Sequence, residues 1–310
     1  MPEPIPIILD VDTGIDDALA LALAVRSPEA DLLAVSTLAG NVGVERTTAN
    51  TLAVLAWLGR DDIPVHRGAS RPLARPHQDA TYFHDENGLG GAELPPSHRE
   101  LGADKGPAAI IRLAKERPRE IVLVCVGPLT NLAIALNVAP ELATLLRGVV
   151  VMGGAFGVPG NVTPHAEFNV FADPEAAQQV FSAGLPSLPS LTAIGLDVTH
   201  QTAWSRGSWE ATRSDGADPA AELAVTVCRQ AFEERDLPGT YLHDPLALAA
   251  ALDPDLVRCE EAAIAVETDD ERRGATRTVG PGTTRVAIDV DAEAFLRRFT
   301  ERLSLRSAAG

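Results

Sequence analysis

Four carboxylates fall within eight positions in Asp10-Val-Asp12-Thr-Gly14-Ile-Asp16-Asp17, at the carboxyl end of the strand candidate Ile5–Val11. Held near one another as anions they repel, so a cation must compensate them or some must carry protons. Hard divalent cations take oxygen ligands, and calcium takes about six to eight of them. Gly14 reads as the residue that lets the backbone turn so that strand-end and helix-start carboxylates converge. Local alternatives exist for each residue alone. Asp16 and Asp17 open a helix, where acids suit the macrodipole and can cap, and Asp12 fits an Asx-turn. All four together point to a site.

Two other motifs compete for this stretch. An EF-hand loop would need Asp or Asn at position 14, Gly at 15 and a later bidentate Glu, and these are missing. A haloacid-dehalogenase-type phosphatase with Asp10 as nucleophile fits better, since it places two Asp one residue apart after an apolar strand. Its usual Thr or Val two places after the second Asp is Gly14 here, and no downstream Lys motif stands out.

Further along, His243-Asp244-Pro245 opens an expected helix, Leu246–Leu252. Asp followed by Pro is a good N-cap and N1 pair. Asp173-Pro174 and Asp253-Pro254 repeat it and read as caps only. What separates Asp244 is the adjacent histidine, a side chain that titrates near neutrality, although a His beside a cap is by itself more often structural. Asn161, Glu167 and Asn169 share a loop after Val149–Gly154. They could ring a polyhydroxylated ligand or satisfy loop backbone groups. Asn41 follows the run Leu32–Leu38, while Met152 and Phe168 suit a core or an apolar wall beside a ligand.

The elements that must position these residues alternate. Strands are expected at Ile5–Val11, Leu32–Leu38, Pro64–His66, Ile121–Val126, Val149–Met152 and Leu191–Val198, with helices at Asp16–Arg26, Val44–Leu58, Gly106–Glu116, Leu129–Leu136 and Asp173–Ala183. Continuous Ile/Val/Leu runs indicate strands buried on both faces. Repeated strand–helix units imply an α/β fold: an open, mostly parallel sheet flanked by helices, with ligands at the carboxyl ends of the strands. From about Ala217 to Leu252 helices dominate. The β-rich segments Leu256–Val266 and Thr276–Val290 follow, extending the sheet or forming a small one, and a helix at Ala292–Leu303 closes the chain. One domain over residues 1–310 is expected. The stretch His66–Asp104 is too long for an ordinary connection and reads as a lid or substrate loop.

Bulk properties narrow the partners. Of 310 residues, 45% are hydrophobic and 22% charged, which is ordinary globular composition. A net charge of −17 without a basic stripe argues against nucleic acid or an anionic membrane as partner. Three widely spaced cysteines, Cys125, Cys228 and Cys259, fit neither a disulfide framework nor a zinc site, and Cys125 reads as core. With no signal-peptide pattern and no apolar run of membrane-spanning length, a cytoplasmic protein is expected.

Taken in order, the motifs resemble the inosine–uridine preferring nucleoside hydrolase family over roughly Ile7 to Leu303. DVDTGIDDALAL is similar to the family's DxDPGxDDAxA signature. LAGNV with Asn41, HDENGLG at His84–Gly90, VGPLTN at Val126–Asn131, VMGG at Val151–Gly154, AEFN at Ala166–Asn169 and HDP at His243–Pro245 follow in family order. The resemblance implies a Rossmann-like core and hydrolysis of the N-glycosidic bond of purine or pyrimidine ribonucleosides, in nucleoside salvage, through an oxocarbenium-like transition state. It implies that Asp12, Asp17, Asp244 and the main-chain carbonyl of Val126 hold calcium, that Asp10 supports them, and that Asp12 is general base toward a calcium-held water. Asp16, Asn161, Glu167 and Asn169 would hold ribose hydroxyls, with Asn41 and His84 also at the substrate. His243 would face the departing base, His84 being the second candidate donor. A homodimer or homotetramer is also implied. Thr13 replaces the usual Pro, and Asp85 a common Gly. The tyrosine-rich helix of some members is poorly matched: Arg229–Leu237 offers Phe232, and Tyr241 lies near His243. The alternatives are the phosphatase and a non-catalytic calcium and riboside binder.

Overall fold

The computed structural model describes residues 3–182, 191–213 and 218–306. Its strands are β1 (Ile5–Val11), β2 (Ala30–Thr37), β3 (Val65–Arg67), β4 (Val122–Cys125), β5 (Gly148–Met152), β6 (Leu191–Ile194), β7 (Ala203–Ser205), β8 (Gly239–Tyr241), β9 (Val257–Ala262), β10 (Ile264–Val266), β11 (Thr276–Thr278) and β12 (Thr284–Val290). The α-helices are α1 (Ile15–Arg26), α2 (Val44–Trp57), α3 (Thr81–His84), α4 (Gly106–Glu116), α5 (Thr130–Val138), α6 (Leu142–Leu145), α7 (Phe168–Ala172), α8 (Pro174–Phe181), α9 (Leu196–Thr199), α10 (Arg206–Arg213), α11 (Pro219–Val227), α12 (His243–Leu252) and α13 (Ala292–Arg302).

The main sheet runs β3-β2-β1-β4-β5-β6-β12-β9. All its pairings are parallel except that of β12 with β9. The central strands β4 and β5 are apolar throughout, and β1 is apolar but for Asp10, because helices cover both faces. Ile7, Leu9 and Val11 enter one core and Ile8 the other, as do Val124 and Leu123 on β4. The order reverses between β1 and β4, so the chain leaves their carboxyl ends in opposite directions and opens a crevice. The acidic segment follows β1, and Val126 follows β4.

The late strands take both of the expected places. β12 and β9 extend the main sheet, whereas β10 and β11 pair separately. The strand expected at Leu191–Val198 stops at Ile194. There Leu196 N–H turns to Gly154 O, and the Asp197 carboxylate accepts from the amides of Phe156 (2.9 Å) and Gly157 (2.6 Å), which draws the chain into α9. The helical stretch after position 217 contains a π-turn at Gln230–Glu234 and β8, which pairs antiparallel with β7. Ala183 and Ala217, at the ends of expected helical segments, lie outside the described residues. Among the described residues no helix is long and apolar enough to cross a membrane. Cys125 and Cys228 are buried and Cys259 is half-buried, all as free thiols.

Candidate active site

Two helix N-termini meet at the crevice. Helix α1 packs against α12, and each carries acids in its first turn, Asp16 and Asp17 on one and Asp244 on the other. The N-terminal ends of both macrodipoles favour anions there. Oxygens of Asp16, Asp17 and Asp244 lie within 4.8 Å of one another, a grouping that could hold a metal ion.

The capping alternative fails for Asp244 and holds for its look-alikes. Helix α12 starts at His243, three residues earlier than expected, with Leu242 as N-cap. Asp244 is thus already inside the helix and makes no cap bond. Asp173 and Asp253, by contrast, accept from Ala176 N (3.1 Å) and Asp255 N (3.3 Å).

Asp17 is locked by amides. Its carboxylate accepts from Asp12 N (3.0 Å), Gly14 N (2.9 Å) and Asn41 Nδ2 (3.1 Å). Asp12 uses Oδ2 to accept from Asn41 N at 2.7 Å. Its Oδ1 is buried and has no hydrogen-bond partner. An orphaned buried anionic oxygen is costly, and a cation or a bound water is what such an atom lacks. Asn41 therefore organises both acids, although it also faces the cavity.

Glycines make room for this packing. The Gly14 backbone is extended (φ −106°, ψ −154°), so the turn there uses no left-handed conformation. A Cβ there would instead sit 2.5 Å from His84 Nδ1 and 2.7 Å from Asn41 Nδ2. One at Gly127 would fall 2.7 Å from Asp12 Oδ1, and one at Gly40 would collide with Asp12 Oδ2. Gly127→Ala is accordingly expected to lower activity by at least about tenfold while costing roughly 1–3 kcal/mol of stability. Steady-state kinetics beside thermal melts would check this, and wild-type kinetics would refute it.

Burial dominates the electrostatics. It lifts Asp16 to about 7, with the charge of Asp17 adding to the shift. Burial also raises Asp12, aided by Asp17, and Asp244, aided by Asp16, Asp17 and Asp12. Asp17 rises for the same reason, opposed by the Gly14 amide. The group thus repels itself and would take a cation or protons. Hard oxygen donors, an orphaned oxygen and spacings compatible with metal–oxygen bonds of about 2.3–2.6 Å fit a divalent cation such as calcium.

Asp10 is different. It is fully buried, accepts from Asn131 Nδ2 at 2.8 Å, and is raised to about 7 by burial. Its Oδ2, like Oδ1 of Asp12, is buried without a hydrogen-bond partner, and what sets Asp10 apart is its place within β1, held by Asn131.

Above the acids lies a cavity of about 600 Å³, within the usual range for small-molecule sites. Asp16, Asn41, His84, Val126, Met152, Asn161, Glu167, Phe168, Asn169, His243 and Asp244 all line it. Asp12 and Asp17 are 1% and 0% exposed beneath them. Glu167 caps α7, accepting from the amides of Asn169 (2.7 Å), Val170 (3.1 Å) and Gly154 (3.0 Å). Asn161 Oδ1 accepts from Phe168 N (3.0 Å). Asn169 Nδ2 donates to Val126 O (2.8 Å) and Met152 O (3.2 Å). These three side chains hold loop backbone, as one of the two alternatives had it, and they also face the cavity.

The histidines come from different elements, α3 and α12. His84, on α3 in the long loop, accepts from Ile15 N at 3.1 Å through Nδ1. His243 Nδ1 lies 2.7 Å from Thr199 Oγ1. Burial drops both rings to about 3, the other histidines adding to the shift at His243, so both are neutral. Tyr82 (62% exposed), Phe83 (36%) and Tyr241 (45%) present aromatic surface at the rim. Phe232 does not join them: it is fully buried, with ring centroids 5.2 Å from Trp209 and 6.0 Å from Trp204.

Sequence reasoning missed the wall built by His200 and the β7–β8 ribbon, including Ala203, Ser205 and Leu237–Thr240. His200 stacks on Tyr241 with centroids 4.6 Å apart. No motif marked these residues. The one available signal was Tyr241 next to the His243 segment.

Residues 7–297 match the model of the family described as inosine-uridine preferring nucleoside hydrolase. The pyrimidine-specific ribonucleoside hydrolase RihA of Salmonella arizonae is 40% identical, over 96% of this chain and 98% of its own. The non-specific ribonucleoside hydrolase RihC of Escherichia coli is 37% identical over 98% and 99%. Among solved structures, a purine-preferring ribonucleoside hydrolase from Gardnerella vaginalis superposes with a TM-score of 0.89 at 34% identity, covering 96% of this chain and 98% of that one. A plant nucleoside hydrolase superposes with a TM-score of 0.90 at 34% identity, covering 97% and 99%.

Proposed function

Because the chain belongs to the inosine-uridine preferring nucleoside hydrolase family, we propose that it hydrolyses the N-glycosidic bond of ribonucleosides with the help of one calcium ion. The observation that carries this reading is the acid cluster beneath the cavity: Asp16, Asp17 and Asp244 grouped, with Asp12 outside that grouping but holding an unpartnered buried Oδ1.

Asp12, Asp17, Asp244 and the carbonyl of Val126 would hold the cation, with Asp16 close enough to share it or to take a ribose hydroxyl. Calcium held there would supply Lewis-acid polarisation of a water and a positive charge to orient the sugar. Asp12 Oδ1 takes the proton of the attacking water, which is worth about a hundred- to ten-thousandfold. Positive charge grows on the ribose as the bond to the base breaks, and the surrounding carboxylates stabilise it most at that moment. Asn161, Glu167 and Asn169 orient the sugar hydroxyls with whatever bonding capacity their backbone contacts leave. Met152 and Phe168 give the sugar an apolar wall. Tyr82, Phe83 and Tyr241 offer aromatic faces for a purine or pyrimidine ring. His243 and His84 supply hydrogen bonds to the departing base, on which negative charge accumulates.

Ribose release from inosine, adenosine, uridine and cytidine in millimolar calcium tests the proposal. At least one ribonucleoside is expected to be cleaved, and its 2′-deoxy counterpart at least about a hundredfold more slowly, because polar groups built for that hydroxyl are then left unpaired. No ribose from any of the four, with folded protein, would remove the reading. Binding of nucleoside by calorimetry without turnover would favour the non-catalytic alternative.

A further inference from the structure

A hydroxyl outside the acid cluster governs His243. Thr199 ends the short helix α9, beyond the carboxyl end of β6, and is 0% exposed. Its Oγ1 lies 2.7 Å from His243 Nδ1, and among the described residues that is the hydroxyl's hydrogen-bond partner. Either atom can carry the proton, but the two arrangements are unequal. If Nδ1–H donated to Thr199, the threonine's own proton would be buried with no acceptor, a penalty avoided when the hydroxyl donates. A donating Thr199 makes Nδ1 the acceptor and leaves the hydrogen on Nε2. His84 shows the same outcome by a stricter route. Its Nδ1 faces the Ile15 amide at 3.1 Å, and an amide N–H can only donate, so His84 also carries Nε2–H.

We infer that Thr199 is a positioning residue that fixes His243 as the Nε2–H tautomer, so that His243 and His84 present paired N–H donors to the departing base. The inference rests on the proposed nucleoside hydrolysis. Both rings then share one role, hydrogen-bonding acceptor atoms of the base as electrons move onto it, and each ring is held by a clamp at Nδ1. No proton need leave either ring for this to lower the barrier. The benefit is therefore greatest for bases that leave poorly and small for a leaving group already stable as an anion.

The test compares wild type, Thr199→Val and Thr199→Ser on a ribonucleoside and on a nitrophenyl riboside, whose phenolate leaves without help. Thr199→Val keeps the side-chain volume and removes the donor. It is expected to lose about tenfold or more in kcat on the nucleoside, with KM little changed, and to stay within about threefold of wild type on the nitrophenyl riboside; Thr199→Ser restores the nucleoside rate. In ¹⁵N-histidine spectra, with His243→Ala for assignment, wild type shows His243 protonated at Nε2, and Thr199→Val shows a mixture of tautomers. An unchanged nucleoside rate in Thr199→Val, equal losses on both substrates, or a wild-type His243 protonated at Nδ1 would each overturn the inference. A wild type inactive on every nucleoside would instead strike the proposed function, and the spectra would still decide the tautomer.

Discussion

Asp12→Asn is expected to lower kcat/KM for nucleoside hydrolysis by about a thousandfold or more, or ~4 kcal/mol in transition-state stabilisation. The substitution is nearly isosteric, and its amide oxygen can still accept from Asn41 N where Asp12 Oδ2 does now at 2.7 Å. The NH₂ group then falls where Oδ1 lies buried without a partner. That exchanges an acceptor for a donor at the atom proposed to take the proton from water, and it points partial positive charge toward the cation. Two losses combine, in general-base chemistry and in calcium affinity. Calorimetry separates them: weaker calcium binding with a residual deficit in kcat at saturating calcium is the expected pattern. Asp10→Asn gives the contrast. Asp10 is enclosed and bonded to Asn131, so its replacement should cost far less. The reverse ranking, with Asp10→Asn dead and Asp12→Asn active, would sink the assignment and revive a phosphatase in which Asp10 is the nucleophile.

How legible this site was follows from the kind of force that placed each part. The acid segment could be read because charge crowding is written locally in Asp10–Asp17, and β1 is apolar without a break up to Asp10. The sheet was legible for the same reason, since strands buried on both faces have no polar side to disguise them. Asp244 could not be separated from a helix cap by local chemistry. Only the packing of α12 on α1 distinguishes it, by setting both first turns side by side. Gly14 was read for its turn alone, because a residue type does not reveal whether conformation or space demands it; the structure adds the room taken by His84 and Asn41. Phe232 was misplaced because a single aromatic in a helical stretch does not declare its face, and Trp204 and Trp209 claimed it for the core. His200, which lines the cavity, and Thr199, buried against His243, left no trace in sequence, since both are placed by the turn that Asp197 imposes after β6.

Removing the cation should abolish activity and also change how stability depends on pH. Without calcium, burial and mutual repulsion hold Asp16 near 7 and raise Asp12 and Asp244 as well. In the unfolded chain the same groups lose their protons near pH 4. Between those limits the folded form binds more protons than the unfolded one, so stability falls as pH rises and levels off above the folded-state value. Each pH unit in that window is worth ~1.4 kcal/mol per extra proton held, and in a domain of this size 1 kcal/mol moves Tm by roughly 2 °C. In chelator, melting at pH 6 is therefore expected at least about 3 °C above melting at pH 8. Calcium is expected to reverse the trend, because at the proposed site it would bind the ionised group and displace those protons: its affinity should rise with pH, and binding should stabilise the fold by about 4 kcal/mol at a thousandfold excess over Kd. Thermal melts at pH 6 and pH 8, each with chelator and with millimolar calcium, give four temperatures that decide the matter. If calcium leaves Tm unmoved at pH 8, and chelator leaves ribose release intact, the acids are not gathered around a cation and their shared burial has another cause.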